Sequence, residues 1–110
     1  IMDGGIAIST CSKDMPNNML IAAQAADSLL SIKGIQASFV LAETASGINI
    51  SGRSLGQVNV QLILERIGGG GHLAVAGAQL KDISINEAVD KLTESIYSYL
   101  DEIGADYTRS

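Results

Sequence analysis

The sequence predicts the α/β fold class, with a mixed β-sheet of about four to five strands and three main helices packed on it. Two observations predict this class. Short apolar segments of strand length alternate with longer segments whose apolar residues recur at helical spacing. Turn-forming residues, mainly Gly, Asn, Asp and Ser, separate these segments in the order β-α-β-β-α-β-α. Because the chain has 110 residues and is 46% hydrophobic, it can form a single domain with its own core.

The first strand and the first helix are predicted over Gly5–Thr10 and Pro16–Ile32. Asp14 is a candidate N-cap, Pro16 suits an early helical position, and Gly34 supplies a left-handed stop. The helix face expected to pack on the sheet contains three alanines, which predict close approach. The residues of that face are Met19, Ala22, Ala23, Ala26, Leu29 and Leu30.

A hairpin is predicted next, from an apolar strand over Gln36–Glu43 and an alternating strand over Ile48–Ser51. The second helix is predicted over Gly56–Ile67. Gln57 and Asn59 lie off its apolar stripe, and we interpret them as solvated residues rather than as readers of a base or ribose. The stripe consists of Val60, Ile63, Leu64 and Ile67.

The last strand, predicted over Leu73–Leu80, precedes the helix with the clearest start signal. Ser84 and Glu87 have the spacing of a capping box, and Ile83 stands where a hydrophobic staple would. This pattern predicts a long amphipathic helix against the sheet. Its apolar stripe is Ile85, Val89, Leu92, Ile96, Leu100 and Ile103.

Composition counts against a surface for long nucleic acid. The chain has 12 acidic and 7 basic residues, a net charge of −5, whereas backbone recognition needs many clustered Lys and Arg. Aromatic residues make up only 4%, too few for a base-stacking platform. The single cysteine, Cys11, excludes an internal disulfide and fits a reducing compartment; we interpret it as a small buried residue. A short ligand that needs few cationic contacts remains compatible with this composition.

The segment Gly68–His72 contains more glycine than a turn requires. One glycine, Gly68, suffices to end the second helix, and each further glycine costs conformational entropy on folding. The surplus of Gly69, Gly70 and Gly71 therefore predicts either close approach of the backbone to a partner or successive exposed N–H groups, which bind anions. His72 adds a side-chain donor that can become cationic near neutral pH. The segment closes a helix and lacks a following Lys-Ser/Thr, so it fits neither a Walker loop nor a dinucleotide fingerprint.

Arg53 is the second candidate, at the exit of the hairpin. Its guanidinium offers five donors in a planar fork that matches phosphate oxygens, and Ser51 and Ser54 flank it with hydroxyls. A solvated arginine between serine caps explains this stretch about equally well. The roughly 11-residue helix between Arg53 and His72 spans about 16 Å. The two side chains can share a site only if the hairpin exit folds back, or if the ligand is elongated, as one with two phosphates is.

The sequence carries no catalytic centre. A two-metal hydrolase needs several Asp and His ligands, whereas this chain has one histidine and dispersed aspartates. We therefore expect no catalytic and no metal-ligating residue, and no cofactor in this chain. The abrupt entry into a strand after Ile1-Met2-Asp3 leads us to expect a piece of a longer protein.

These residues resemble the DHH-associated C-terminal domain of DHH-family phosphoesterases over nearly the whole chain. The motifs that carry the resemblance are Arg53-Ser54, Val58-Asn59-Val60, Gly68–His72 and Ala76-Gly77. Two further stretches, Cys11-Ser12-Lys13-Asp14 and Ser51–Gly56, are similar to those of the membrane-anchored cyclic-di-AMP phosphodiesterases of Gram-positive bacteria.

The resemblance implies a substrate-recognition domain for hydrolysis of cyclic-di-AMP to pApA. An upstream DHH domain in the same chain would carry two manganese ions, and the whole protein would be anchored in the membrane with this domain in the cytoplasm. Gly69, Gly70, Gly71 and His72 would hold one phosphate, with Arg53 and Ser54 on the other phosphate or on nucleotide edges. This chain alone would then lack the metal site and be inactive.

Three alternatives stay open. The first is the equivalent domain of a DHH phosphatase or exonuclease acting on short linear oligonucleotides or adenosine bisphosphate. The second is a nucleic-acid-binding module, against which the acidic charge counts. The third is a purely structural or homodimerising domain that binds no ligand.

Overall fold

The computed structural model describes residues 5–104. Its strands form one sheet, and only the first pair is parallel. The strands are β1 (Ile6–Cys11), β2 (Ala37–Thr44), β3 (Gly47–Ser54), β4 (Gly70–Gly71) and β5 (Val75–Lys81), in the order β1-β2-β3-β5-β4. The helices are α1 (Asn18–Leu29), α2 (Val60–Glu65) and α3 (Ile85–Glu102). The predicted mixed sheet with three helices is confirmed.

The sheet has two differently covered faces. On one face α2 and α3 bury the main core against the inward side chains of β2, β3 and β5. Its largest fully buried side chains include Phe39, Leu41, Ile50, Ile63, Leu92 and Ile96. On the other face α1 covers β1, β2 and part of β3 with a smaller cluster. That cluster is Cys11, Ala22, Ala26, Val40 and Ala42. The expected burial of Cys11 and the close approach through alanines are confirmed.

The first helix differs from the prediction at its start. It begins at Asn18 rather than Pro16, because Asn17 takes a left-handed conformation with φ 55° and the preceding residues form a turn closed by Met15 N–H to Ser12 O at 3.2 Å. Asp14 is therefore not its cap. Met19, predicted in the core, is 46% exposed and lies beside the β2–β3 turn.

The other two helices are fixed by caps and by each other. Ser84 accepts from Glu87 N–H at 3.1 Å, so the predicted cap of α3 is confirmed, although the Glu87 carboxylate accepts from the Ser84 hydroxyl instead of reaching backbone. Ser95 donates to Ile63 O at 2.6 Å, which ties α3 to α2. Ile103, predicted in the stripe, follows the last helical residue and is 54% exposed.

An ion pair also joins the C-terminal ends of α2 and α3. Arg66 donates to Glu102, which lowers the pKa of the Glu102 carboxyl and raises that of the Arg66 guanidinium through the hydrogen bond. Both side chains are solvent-accessible, so the pair contributes little to stability.

We expect Leu92→Ala to destabilise the domain by about 2–5 kcal/mol, because it removes a fully buried side chain and leaves a cavity in the main core. Denaturant unfolding followed by circular dichroism measures this. Leu20→Ala is the matched control, since Leu20 is 59% exposed and should change stability by no more than about 0.5 kcal/mol. Equal effects of the two substitutions would contradict this assignment of the core.

Candidate binding groove on the open face of the sheet

The face of the sheet that carries α1 is open over β5, β4 and part of β3. α1 covers the β1–β2 half, and α2 and α3 lie on the opposite face. The uncovered half forms a groove of about 830 Å³. Its lining comprises Asn49, Ile50, Ser51, Arg53, Gly68, Gly69, Gly70, Gly71, His72, Val75, Ala76, Gly77, Ala78, Gln79 and Lys81. Five of the six residues predicted to bind substrate therefore lie around one groove.

Arg53 is held in place from α1. β3 is longer than predicted, so Arg53 lies within the strand rather than in a turn and pairs with Ser38 of β2. The buried Ser38 hydroxyl donates to Ala26 O at 2.5 Å, which fixes α1 over this pair. The next helical residue, Asp27, then forms an ion pair with Arg53 Nε at 3.1 Å. Arg53 is only 17% exposed, so its guanidinium has a defined position at the groove.

The structure brings His72 to Arg53 through the register of β5. Val75, the first residue of β5, is the strand partner of Arg53. His72 N–H donates to Val75 O at 2.7 Å, closing a tight turn directly before that strand. The end of β3 therefore lies beside the turn at His72. Because α2 has 6 residues instead of the roughly 11 predicted, the expected separation of about 16 Å does not arise. The backbone of His72 forms this turn, while its side chain is exposed at the groove.

Of the two explanations predicted for the surplus glycines of Gly68–His72, close approach of the backbone holds for Gly69 and Gly71. Gly68 has φ +94° and Gly69 N–H donates to Leu64 O at 2.8 Å, so this part ends α2 as expected. Gly70 and Gly71 then form β4, an edge strand paired with Ala76 and Gly77 of β5. An edge strand directs part of its backbone N–H and C=O groups away from its neighbour. Any N–H groups offered to a ligand therefore belong to a strand edge and not to a concave loop.

The reasons for the glycines differ from one position to the next. A Cβ on Gly69 would lie 2.4 Å from Gly77 O, and one on Gly71 would lie 2.6 Å from Ala76 Cα. These two are required by close approach to β5, not by a ligand. A Cβ on Gly70 would meet no atom within 4 Å. Gly70 is the strand partner of Gly77, whose own partner Ser51 lines the groove, so the space above Gly70 belongs to the groove.

Two polar residues have structural positions elsewhere. Ser54 is 8% exposed, accepts from Gly56 N–H at 2.8 Å and is absent from the groove lining. Because it follows Arg53 in a strand, it points to the opposite face. Asn59, interpreted as solvated, instead caps α2 by accepting from Leu62 N–H at 3.1 Å. We therefore leave Ser54 out of the site proposed below.

Sequence reasoning missed four polar residues of the groove: Asn49, Ser51 as a groove residue, Gln79 and Lys81. The signal was present in β3, where polar residues alternate with buried Ile48 and Ile50. A strand that is polar at every second position has one open face. What the sequence did not show is that β5 lies beside this strand and continues the same face.

The charged side chains that line the groove are basic. The described lining contains Arg53, Lys81 and His72 and no Asp or Glu, although the chain has 12 acidic residues and a net charge of −5. Asp27 stands beside the groove, engaged by Arg53. Within residues 5–104 no three His, Cys, Asp or Glu side chains are grouped as metal ligands require. The helices of this range include no candidate for a membrane span.

The chain belongs to the DHHA1 domain family, which matches residues 3–102. Among similar proteins, the cyclic-di-AMP phosphodiesterase PdeA of Listeria monocytogenes is 51% identical over 90% of this chain. The cyclic-di-AMP phosphodiesterase GdpP of Geobacillus thermodenitrificans is 46% identical over 92% of it. The chain spans only 15% and 16% of the lengths of these two relatives.

A solved structure shows the same fold. The exopolyphosphatase-related protein from Bacteroides fragilis aligns with a TM-score of 0.72 and 23% identity, over 87% of this chain and 30% of that protein. The resemblance inferred from the sequence motifs is confirmed by the family match and by the two relatives.

Proposed function

We propose that this domain is the substrate-recognition part of a manganese-dependent phosphodiesterase that hydrolyses cyclic-di-AMP to pApA, and that it binds the dinucleotide phosphates in the open groove. In this proposal the whole protein is membrane-anchored and the domain faces the cytoplasm. The groove carries the proposal, because it has cationic side chains and no acidic lining in a chain that is acidic overall. The names of the two phosphodiesterase relatives supply the substrate.

Three groove residues, Arg53, His72 and Gly70, each have a defined part in this proposal. Arg53 uses Nε on Asp27 and Nη1 on Gly52 O, which leaves Nη2 to donate to a phosphate oxygen. His72 donates from its ring to the same or an adjacent phosphate. Gly70 allows the ligand to approach the backbone of β4, where outward N–H groups are available. Such charge-assisted bonds are the strong class of hydrogen bond.

The metal belongs to a preceding DHH domain in this proposal. Its manganese ions supply activation of water for attack on the phosphodiester, while residues of this chain bind and orient the substrate. Three exposed apolar side chains next to the groove fit a surface that such a domain covers: Leu55, Leu73 and Val75. Leu73 and Val75 belong to the His72 turn, and Leu55 follows Ser54, whose N–H donates to Ala74 O; their position supports a contact at the Arg53 end of the groove.

Titration of the ¹⁵N-labelled chain with cyclic-di-AMP tests the proposal. We expect the backbone amides of Gly69–His72 and the Arg53 Nε–H resonance to shift, because the phosphates bind beside them. Amides of α3, on the opposite face of the sheet, serve as the internal control. Shifts confined to α3, or no shift at millimolar ligand, would contradict the proposal.

The same titration separates the alternatives. Binding of pApA with higher affinity than cyclic-di-AMP would favour the domain of a phosphatase or exonuclease for linear oligonucleotides. Tight binding of long RNA that weakens steeply with salt would favour a nucleic-acid module. A concentration-dependent dimer without any ligand response would favour the structural alternative.

A further inference from the structure

The groove has a regular layout that the phosphate site does not use. Strand pairing sets its residues in parallel rows across β3 and β5. Arg53 pairs with Val75, Ser51 with Gly77, and Asn49 with Gln79. Because strand partners present their side chains to the same face, the cation and the two amides lie on one surface with a row of small residues between them.

The middle row forms a low floor. Ser51, Gly77 and Gly70 are successive partners across three strands, and all three line the groove. Gly in a strand weakens it and often marks a place where a ligand approaches the backbone. A flat group can therefore lie over this row. Arg53 is on one side of it, and the strand partners Asn49 and Gln79, here called the amide row, are on the other.

The spacing of the rows suits one nucleotide. Asn49 is four residues from Arg53 along β3, a distance of about 13 Å between Cα atoms at about 3.3 Å per residue. Side chains from both ends reach over the floor and shorten this gap. A phosphate at Arg53 thus places the sugar over the floor and directs the base to the amide row.

The amide row carries recognition groups without partners of their own. Asn49 is half-buried and Gln79 is exposed, and neither side chain forms a hydrogen bond with another residue of the range 5–104. Asn is depleted in strands, so its place in the middle of β3 is not explained by strand propensity. An amide offers one donor and one acceptor side by side, which matches the N6 and N7 edge of adenine.

We propose that Asn49 and Gln79 form an adenine-reading subsite, at the end of the groove opposite to the phosphate-binding Arg53. This inference rests on the proposed function, since it assigns the base of the nucleotide whose phosphate that function places at Arg53. It adds specificity residues, and with them a preference for adenine over guanine.

Calorimetric titration of the chain and of its Asn49→Ala/Gln79→Ala variant tests the inference, with cyclic-di-AMP, cyclic-di-GMP and ribose 5-phosphate as ligands. We expect the unaltered chain to prefer cyclic-di-AMP. The variant should lose about 5- to 150-fold in affinity for it, the range given by one bidentate base contact. Its affinity for ribose 5-phosphate should stay within about twofold, because the Arg53 end is intact. Asn86→Ala is the matched control, because it deletes an exposed side-chain amide on α3. It should leave the affinity for all three ligands unchanged.

Gln79→Glu provides a second variant that keeps the side-chain shape and removes the donor. It should weaken the binding of cyclic-di-AMP, since a carboxylate can accept from adenine N6 but cannot donate to N7. Unchanged affinity for cyclic-di-AMP in both variants overturns the amide subsite and leaves the phosphate site standing. Absence of dinucleotide binding by the unaltered chain overturns the proposed function itself, and the subsite with it.

Discussion

The Arg53→Ala/His72→Ala double variant is expected to lose cyclic-di-AMP binding almost completely. Each single substitution removes a charge-assisted contact and should cost about 1.5–3 kcal/mol of binding free energy, so each weakens binding by roughly 10- to 150-fold. The fold should survive, because the backbone N–H of His72, and not its ring, closes the turn to Val75. Calorimetric titration of the two single variants and the double variant measures these losses.

Arg66→Ala is the matched control for this experiment. It also removes an arginine that forms one ion pair with a carboxylate, here Glu102, but it lies at the end of α2 away from the groove. We expect its affinity for cyclic-di-AMP to equal that of the unaltered chain. Retained binding in the Arg53→Ala/His72→Ala variant would show that the ligand does not use this end of the groove.

The second large effect is a contrast between neighbouring glycines. Gly69→Ala should destabilise the fold by about 1–3 kcal/mol, because its Cβ would lie 2.4 Å from Gly77 O and would push β4 away from β5. Gly70→Ala should leave stability unchanged or raise it by up to about 1 kcal/mol, because its Cβ meets no atom within 4 Å. The Gly70→Ala protein should therefore keep its stability and still bind cyclic-di-AMP more weakly, since the added methyl group occupies the groove.

Denaturant unfolding and ligand titration of both variants check this contrast. Thermal unfolding of Gly71→Ala adds a third point, expected to resemble Gly69→Ala because of its φ of +143° and a Cβ contact of 2.6 Å. If Gly70→Ala binds the dinucleotide normally, the close approach of ligand to β4 is wrong. If Gly69→Ala is fully stable, the packing of β4 on β5 is wrong.

Most of the fold could be predicted because hydrophobic periodicity and local caps point to the same elements. The Ser84 cap of α3 and the doubly apolar β2 are examples. The extension of β3 to Ser54 could not be predicted, because Gly52, Arg53 and Ser54 break the alternation. The structure shows what supports it: Gly52 lies under the Phe39 ring, where a Cβ would approach Cε1 to 3.0 Å. That contact is tertiary, so local patterns carry no trace of it.

The candidate site was predictable in its chemistry but not in its geometry. Residue type alone indicated that Arg53 and His72 suit phosphate. Their meeting depends on the register between β3 and β5, which arises from long-range pairing. The two-residue strand β4 likewise exists only because β5 lies beside it, since glycine has little tendency to form strands. The amide row was missed for the same reason, because Asn49 and Gln79 are thirty positions apart in the chain.

A crystal structure of this chain with cyclic-di-AMP shows where the dinucleotide binds. We predict a phosphate within hydrogen-bond distance of both the Arg53 guanidinium and the His72 ring, over the glycine edge of β4. Dinucleotide density on another surface, with the groove between α1 and β4 left free, would contradict it.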